Sequence, residues 1–339
     1  MTKTEAEPRR ATLAVIGQEA SVSMSTVSKV LNGRSGVSAE TRAIVEGLLD
    51  RYGYTPRGQT TAWDPFLELV MSEIDTPWSL EIIRGAQSVA RDHGLSLILT
   101  QSGDRYAPEP DWIDGVLRRR PFGVVLVLSS LSDQLQRQLR TRGIPFVLVD
   151  PSGEQSSDIP AVGAANFDGG LLATRHLIEL GHTRIGVVGG PEHVMSARAR
   201  IAGFRTAMEA AGLPIHNELM LPGDYHTGSG IEAAEKLLSL PQPPTAIFAL
   251  NDLEAFGVYT AARRLGVSIP QQLSVVGFDD IQGAEWAGPP LTTVRQPLTK
   301  MAEEAARMLI RIRNQESDLS LRVDLATTLV VRDSTRRVD

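Results

Sequence analysis

Residues 19–32 read E-A-S-V-S-M-S-T-V-S-K-V-L-N, and this stretch decides what the front of the chain is. Ala20 and Ser21 are small enough to let two helices approach, and Val22 can plug the corner between them. Ser23 can cap a second helix, because its hydroxyl accepts from an otherwise orphaned backbone N–H. That helix carries Val27, Val30 and Leu31 on one side and Met24, Ser25, Ser28 and Lys29 on the other. Upstream, Leu13–Ala20 reads as a helix opened by Thr12, with Leu13, Ile16 and Ala20 spaced for one face. Two short helices about a tight corner form a helix-turn-helix whose second helix can approach base edges closely. Downstream, N-G-R-S-G at 32–36 is loop chemistry, and Ser38 caps a third helix with Glu40 in its first turn. The expected headpiece core is Leu13, Ile16, Val27, Val30, Ile44 and Leu48, with Tyr52 also on the inner face.

The bulk numbers agree with a DNA reader attached to a larger body. The chain has 339 residues, 42% of them hydrophobic and 22% charged, enough for two or three units with sizeable cores. Residues 1–58 hold eight Lys/Arg against six Asp/Glu, whereas the whole chain carries −6, so the body is the acidic part. There is no cysteine, which excludes disulfides and thiolate metal sites and fits a reducing cytoplasm. Met1–Arg10 is polar, with no secretory apolar core, and no apolar run is long enough for a bilayer, so no membrane partner is expected.

From Phe66 the pattern becomes strand, helix, strand, which is an α/β architecture with parallel sheets. Short apolar runs at Leu67–Met71, Leu95–Leu99, Val124–Leu128, Phe146–Val149, Ile185–Val188, Ala246–Leu250 and Val275–Phe278 are the strand candidates. Helical segments at Leu80–His93, Gly169–Leu180 and Ala199–Ala211 lie between them. The strands end in Ser72, Thr100, Ser129, Asp150, Asn251 and Asp279, and open parallel sheets bind ligands at such ends. Carboxylates, an amide and hydroxyls with little cationic charge suit a polyhydroxyl compound. Trp78 or Tyr225 offers a flat apolar wall for its ring.

At this point two resemblances are specific. The run from Ala11 to Arg42, followed by Y-G-Y-T-P at 52–56, resembles the headpiece of the LacI/GalR family of transcription regulators. The resemblance implies that Met24, Ser25 and Lys29 face bases, and that Ser23, Thr26, Ser28, Asn32, Ser38 and Tyr54 lie towards phosphates. Ser21 stands where that family has a turn glycine, and Lys29 where it has arginine, so a bidentate grip is replaced by a point charge. The linker at 55–65 lacks the leucine that the family's hinge helix inserts, and Trp63 is its one large apolar residue. Further on, T-P-W-S-L-E-I-I-R-G (76–85), G-H-T-R-I-G-V-V-G-G (181–190), S-A-R-A-R-I-A-G-F (196–204), A-L-N-D (249–252), V-V-G-F-D-D (275–280) and P-P-L-T-T-V-R-Q-P (289–297) resemble the same family's periplasmic-binding-protein-like core. This implies effector contacts at Asp150, Arg200, Asn251 and Asp279, aromatic walls at Trp78 and Tyr225, and dimerisation through the body.

The expected organisation is a tail at 1–11, a helix-turn-helix domain at 12–54, a linker at 55–65 and an effector-binding and dimerisation domain at 66–335. Its lobes are about 66–164 plus 293–322 and about 165–292 plus 323–335, with crossing strands near 163–166, 290–293 and 321–324. Asp252 and Asp280 read as helix or turn caps, Arg118–Arg120 as a solvated helix terminus, and His176, Glu179 and His182 as a helix end rather than a zinc site. The expected function is a repressor on double-stranded operator DNA, controlled by a sugar-like effector, acting as a homodimer without cofactor. A solute-binding protein is disfavoured by the helix-turn-helix. A sugar-converting enzyme is disfavoured because no phosphate loop, G-x-S-x-G elbow (Thr227 precedes Ser229) or H-E-x-x-H is present.

Overall fold

Side-chain caps decide where the first helices start. The computed structural model describes residues 12–31, 36–52, 54, 64–103, 111–127, 131–151 and 158–338. Asn32, Trp63, Ser129, the tail at 1–11 and linker positions 55–63 lie outside the described residues. Helix α1 (Leu13–Glu19) opens with the Val15 N–H donating to Thr12 Oγ1 at 3.4 Å. Helix α2 (Met24–Leu31) opens with Thr26 N–H on Ser23 Oγ at 3.1 Å, and α3 (Ala39–Arg51) with Thr41 N–H on Ser38 Oγ at 3.2 Å. At Gly17 a Cβ would lie 2.9 Å from the Val22 carbonyl oxygen, so glycine permits the close approach of α1 to the corner.

The headpiece core is Ile16, Val27, Val30, Val45, Leu48 and Leu49, with Leu13 and Tyr54 packed against it. This corrects the expected inner face of α3. Ile44 is 49% and Tyr52 38% exposed, because the buried positions run 45, 48, 49: the face keeps Leu48 but is turned about 50° from the one expected. Tyr52 instead donates its hydroxyl to Glu19 Oε2 at 2.5 Å.

The body forms parallel sheets flanked by helices. Its contacts divide the chain into two units, and the first takes in the headpiece, residues 64–73, 87–147 and 306–319. There β1 (Asp64–Met71) pairs in parallel with β2 (Ser96–Gln101) on one side and β3 (Pro121–Val127) on the other. Between and after them run α4 (Pro77–Asp92, its first ten residues in the second unit), α5 (Asp111–Arg119) and α6 (Asp133–Thr141). Glu68 on β1 is fully buried, and Arg119 turns inward from the last turn of α5 to pair with it. Thr100 donates to the same carboxylate at 2.6 Å. The expected solvated arginine terminus is therefore corrected at Arg119, since an unpaired buried carboxylate is costly. Thr100 is likewise committed to Glu68 rather than to a ligand.

The second unit takes in residues 74–86, 148–305 and 320–339. The end of β4 (Phe146–Val149) pairs with β5 (Ala161–Ala164), which pairs in parallel with β11 (Arg322–Leu325). A six-stranded sheet follows the order β12-β10-β9-β8-β6-β7. Its strands are β6 (Ile185–Val188), β7 (Met220–Leu221), β8 (Ala246–Ala249), β9 (Ser274–Asp279), β10 (Thr292–Arg295) and β12 (Thr328–Val330). Only β12 runs antiparallel, against β10. Helices α7 (Asn166–Glu179) and α8 (Met195–Ala210) bury one face through Phe204, Phe248 and Phe278. The other face is covered by α9 (Thr227–Leu238) and α10 (Asp252–Leu265) through Leu237, Ile247 and Val258. Alternate residues of β8 serve opposite faces, which is why the strand reads as a continuous apolar run. The short α11 (Gly283–Trp286) follows β9, and α12 (Leu298–Arg313) follows β10.

Candidate functional site

Helix α2 turns its polar face outward because Val27 and Val30, on its opposite side, are fully buried. Met24 is 59% exposed, and Ser25 and Lys29 are exposed beside it. Ser23 Oγ lies 2.8 Å from Ser25 Oγ and 2.9 Å from Thr26 Oγ1, so a cluster of hydroxyls surrounds the start of the helix. Thr26, Ser28 and Tyr54 are half-buried, and Ser38 is exposed at its cap.

In the second unit, strand ends and helix starts place a continuous polar chain. Arg200, on α8, is 3% exposed, and its guanidinium carbon sits 3.7 Å from the Phe278 ring centroid and 5.7 Å from that of Tyr225. Its Nε donates to Asn166 Oδ1 at 2.8 Å and its Nη1 to the Leu250 carbonyl at 2.5 Å. Asp279 Oδ1 lies 3.9 Å from Nη1 and accepts from Gln296 Nε2 at 2.6 Å. At the other end Asn166 Nδ2 donates to Asp150 Oδ1 at 3.4 Å. Asp150, Asn166, Arg200, Asp279 and Gln296 thus form one chain in which two carboxylates flank a buried cation. Such an array accepts from hydroxyls at the acids and donates to oxygen at the arginine.

Asn251 has a different first duty. Its Oδ1 accepts the Glu254 N–H at 2.8 Å as the N-cap of α10, and its Nδ2 donates to the Tyr225 carbonyl at 2.8 Å. It can still offer a ligand its second amide proton and the second lone pair of Oδ1. Tyr225 is buried at φ +70°, its N–H held by Glu254 Oε1 at 2.9 Å, and burial pushes its hydroxyl pKa up to about 12. Burial also drives the Glu254 carboxyl well above the usual range. Trp78 falls outside the helical segment expected at Leu80–His93, yet it is helical. It is the second residue of α4, because Pro77 takes the first helical position that its ring favours.

Asp252 and Asp280 also differ from expectation. Asp252 does not cap its own helix, which Asn251 does. It is fully buried and accepts from Ile281 N–H at 2.9 Å and Thr293 Oγ1 at 2.6 Å, so it fastens the turn after β9. Burial first, then the charge of Asp279, raises its pKa well above the ordinary value. Asp280 is no cap either, since it accepts from Arg295 Nε and Arg332 Nη2, each at 2.6 Å. His182 accepts or donates to Thr245 Oγ1 at 2.8 Å and Ser274 Oγ at 3.0 Å, and His176 meets Thr335 Oγ1 at 2.9 Å. No group of three metal-binding side chains occurs among the described residues.

Asn166 and Gln296 were not found from the sequence. Asn166 follows β5 and Gln296 follows β10; the resemblance implies crossing strands near 163–166 and 290–293, but neither stretch is among the apolar runs whose polar ends gave the candidates.

Residues 12–57 match the family model described as bacterial regulatory proteins, lacI family, and residues 174–335 match a periplasmic binding protein-like domain. The chain is 32% identical over 335 residues to the HTH-type transcriptional repressor PurR of Vibrio vulnificus (strain CMCP6), an alignment spanning 97% of this chain and 100% of that protein. It is 30% identical to the HTH-type transcriptional repressor CytR of Escherichia coli (strain K12), over 98% of this chain and 99% of that one. Among solved structures, a transcriptional regulator CelR–cellobiose complex aligns with TM-score 0.74 at 32% identity, covering 96% of this chain and 100% of that chain. A lac repressor dimer bound to operator and the anti-inducer ONPF aligns with TM-score 0.70 at 26% identity, covering 97% and 100%. No helix among the described residues is long and apolar enough to cross a membrane.

Proposed function

The chain belongs to the lacI family of bacterial regulatory proteins, and on that premise we propose that it is a cytoplasmic, homodimeric repressor. Its headpiece (12–54) reads operator DNA and its body (66–335) binds a sugar-like effector, with 55–65 as the linker. A two-fold dimer sets its paired headpieces on half-sites about one helical turn, or a multiple of it, apart. On this reading Met24, Ser25 and Lys29 meet base edges, and Ser23, Thr26, Ser28, Asn32, Ser38 and Tyr54 lie towards the phosphate backbone. The observation that carries the effector reading is the chain from Asp150 through Asn166 and Arg200 to Asp279, two acceptors around one donor on a buried aromatic bed. Trp78 and Tyr225 supply ring walls, and Asn251 holds Tyr225 in place. Binding proceeds without turnover. The effector shifts operator affinity only by its preference between two arrangements of the body, about 1–3 kcal/mol for a usable switch.

The test is a thermal-shift panel of sugars including cellobiose and ribose, nucleobases and sugar phosphates, repeated on Asp279→Ala. A sugar should raise the melting temperature of the unmodified protein and lose that effect in the variant. Stabilisation that survives Asp279→Ala unchanged removes the pocket assignment, and consumption of the ligand would favour an enzyme.

A further inference from the structure

One buried cation lies apart from the effector cluster. Arg142, just after α6, is 7% exposed, and its partners belong largely to the headpiece. Its Nη2 donates to the Val30 carbonyl at 2.6 Å and lies 3.4 Å from Glu46 Oε1, while its Nη1 donates to the Gln138 carbonyl at 3.2 Å. Gln138, 8% exposed, donates its amide to both Glu46 oxygens at 3.3 Å. Val30 is in the last turn of α2, where carbonyls lack helical partners and a cation is favourable.

The seam is not closely packed. A cavity of about 290 Å³ remains between Ala43, Glu46 and Gly47 on α3 and Gln134, Arg137 and Thr141 on α6. Arg142 Nε and Gln138 Oε1 are buried there without a hydrogen-bond partner among the described residues. Burial pulls the Arg142 pKa below its ordinary value; Glu46 and Asp114 oppose that and Arg42 adds to it. Polar contacts tie the seam at Val30 and Glu46, and Met24, Ser25 and Lys29 stay exposed.

We propose that Arg142 and Gln138 form a seat on the body that clamps α2 and α3 through the Val30 carbonyl and Glu46, fixing the DNA reader in a DNA-competent orientation. The clamp explains why a charged side chain is buried at a site with no ligand chemistry of its own.

The chain has no cysteine, so Ala14→Cys, at an exposed position of α1, gives one site for a fluorophore on the full-length protein. Time-resolved anisotropy should show the clamped headpiece tumbling with the body. Arg142→Met, or independently Glu46→Ala, should add a nanosecond component of several times the unmodified amplitude. The double variant should do no more than either single one, because the two groups act as a pair. A large fast component in the unmodified protein, or unchanged decays in both single variants, overturns the clamp. On a symmetric duplex selected with the unmodified protein, Arg142→Met should bind about tenfold more weakly with an unchanged salt slope, since no phosphate contact is lost. An altered slope would make Arg142 a phosphate contact and also overturn the proposal. The anisotropy arm needs no DNA, so it stands or falls separately from the repressor reading.

Discussion

Ser21 occupies φ +55° in the corner between α1 and α2, a conformation that glycine adopts freely and a side chain does not. The strain is worth about 1 kcal/mol, and no ligand is needed to see it. Ser21→Gly should therefore slow hydrogen exchange of α1 and α2 amides about fivefold, the factor corresponding to that energy. Unchanged protection would mean that the serine side chain recovers the strain elsewhere in the corner. Arg200 is a different residue-scale case. A charge 3% exposed would be a liability in an apolar core, yet it gains the Phe278 ring face, the Asn166 amide oxygen and the Leu250 carbonyl together. The sequence offered Arg200 only through the resemblance, as an effector contact, because what buries it comes from three separate elements.

Elements were legible where both faces of a strand are apolar. Phe146–Val149 and Ile185–Val188 have the bounds read from their runs, since every residue in them is buried. Strand β10 was hidden from that pattern because Thr292 and Thr293 are polar and still fully buried, their hydroxyls meeting the Arg332 carbonyl at 3.2 Å and Asp252 at 2.6 Å. Neither β5 nor β10 stood out as an apolar run, although the resemblance implied crossing strands near both, and so their polar ends Asn166 and Gln296 were not among the candidates. His182 shows what ties these elements together: it joins the turn before β6 to Thr245 before β8, to Ser274 on β9 and to the Arg336 carbonyl. Burial holds its pKa below 6.5. The folded state thus binds fewer protons at this site than the unfolded one, so its contribution is intact above about pH 6.5 and is lost as pH falls through the lowered folded value. Asp252 and Glu254, whose pKa values are raised, act with the opposite sign and gain stability on acidification. The comparison that isolates the histidine is therefore His182→Gln against the unmodified protein. The melting temperature of the unmodified protein should fall faster between pH 7.5 and 5.5, so the gap between the two narrows. Parallel curves would show that His182 does not titrate in this range.

At the scale of the whole molecule, the neighbours Asp279 and Asp280 face different duties. Asp279 ends the chain of groups proposed to meet the effector, while Asp280 holds Arg295 at the end of β10 and Arg332 beyond β12. Both have positive φ, +118° and +57°, so the turn is held in shape by its bonds rather than by backbone preference. Gln296 follows Arg295 directly, and the chain then enters α12, whose residues to Ala305 belong to one compact unit and from Ala306 to the other. An effector that prefers one geometry of this turn therefore biases a covalent path that continues into the unit carrying the headpiece. Linkage demands that operator DNA change effector affinity by the same factor as the effector changes operator affinity, about 5–150-fold in a usable switch. Asp280→Asn should retain effector binding, since Asp279, Arg200 and Asn166 are untouched, while that factor contracts towards one when measured from either side. The two measurements, effector titrated with and without the selected duplex and duplex titrated with and without effector, must agree within error. A variant that keeps the full factor would place the coupling outside the Asp280 ion pairs, and a variant that loses effector binding itself would make Asp280 part of the pocket.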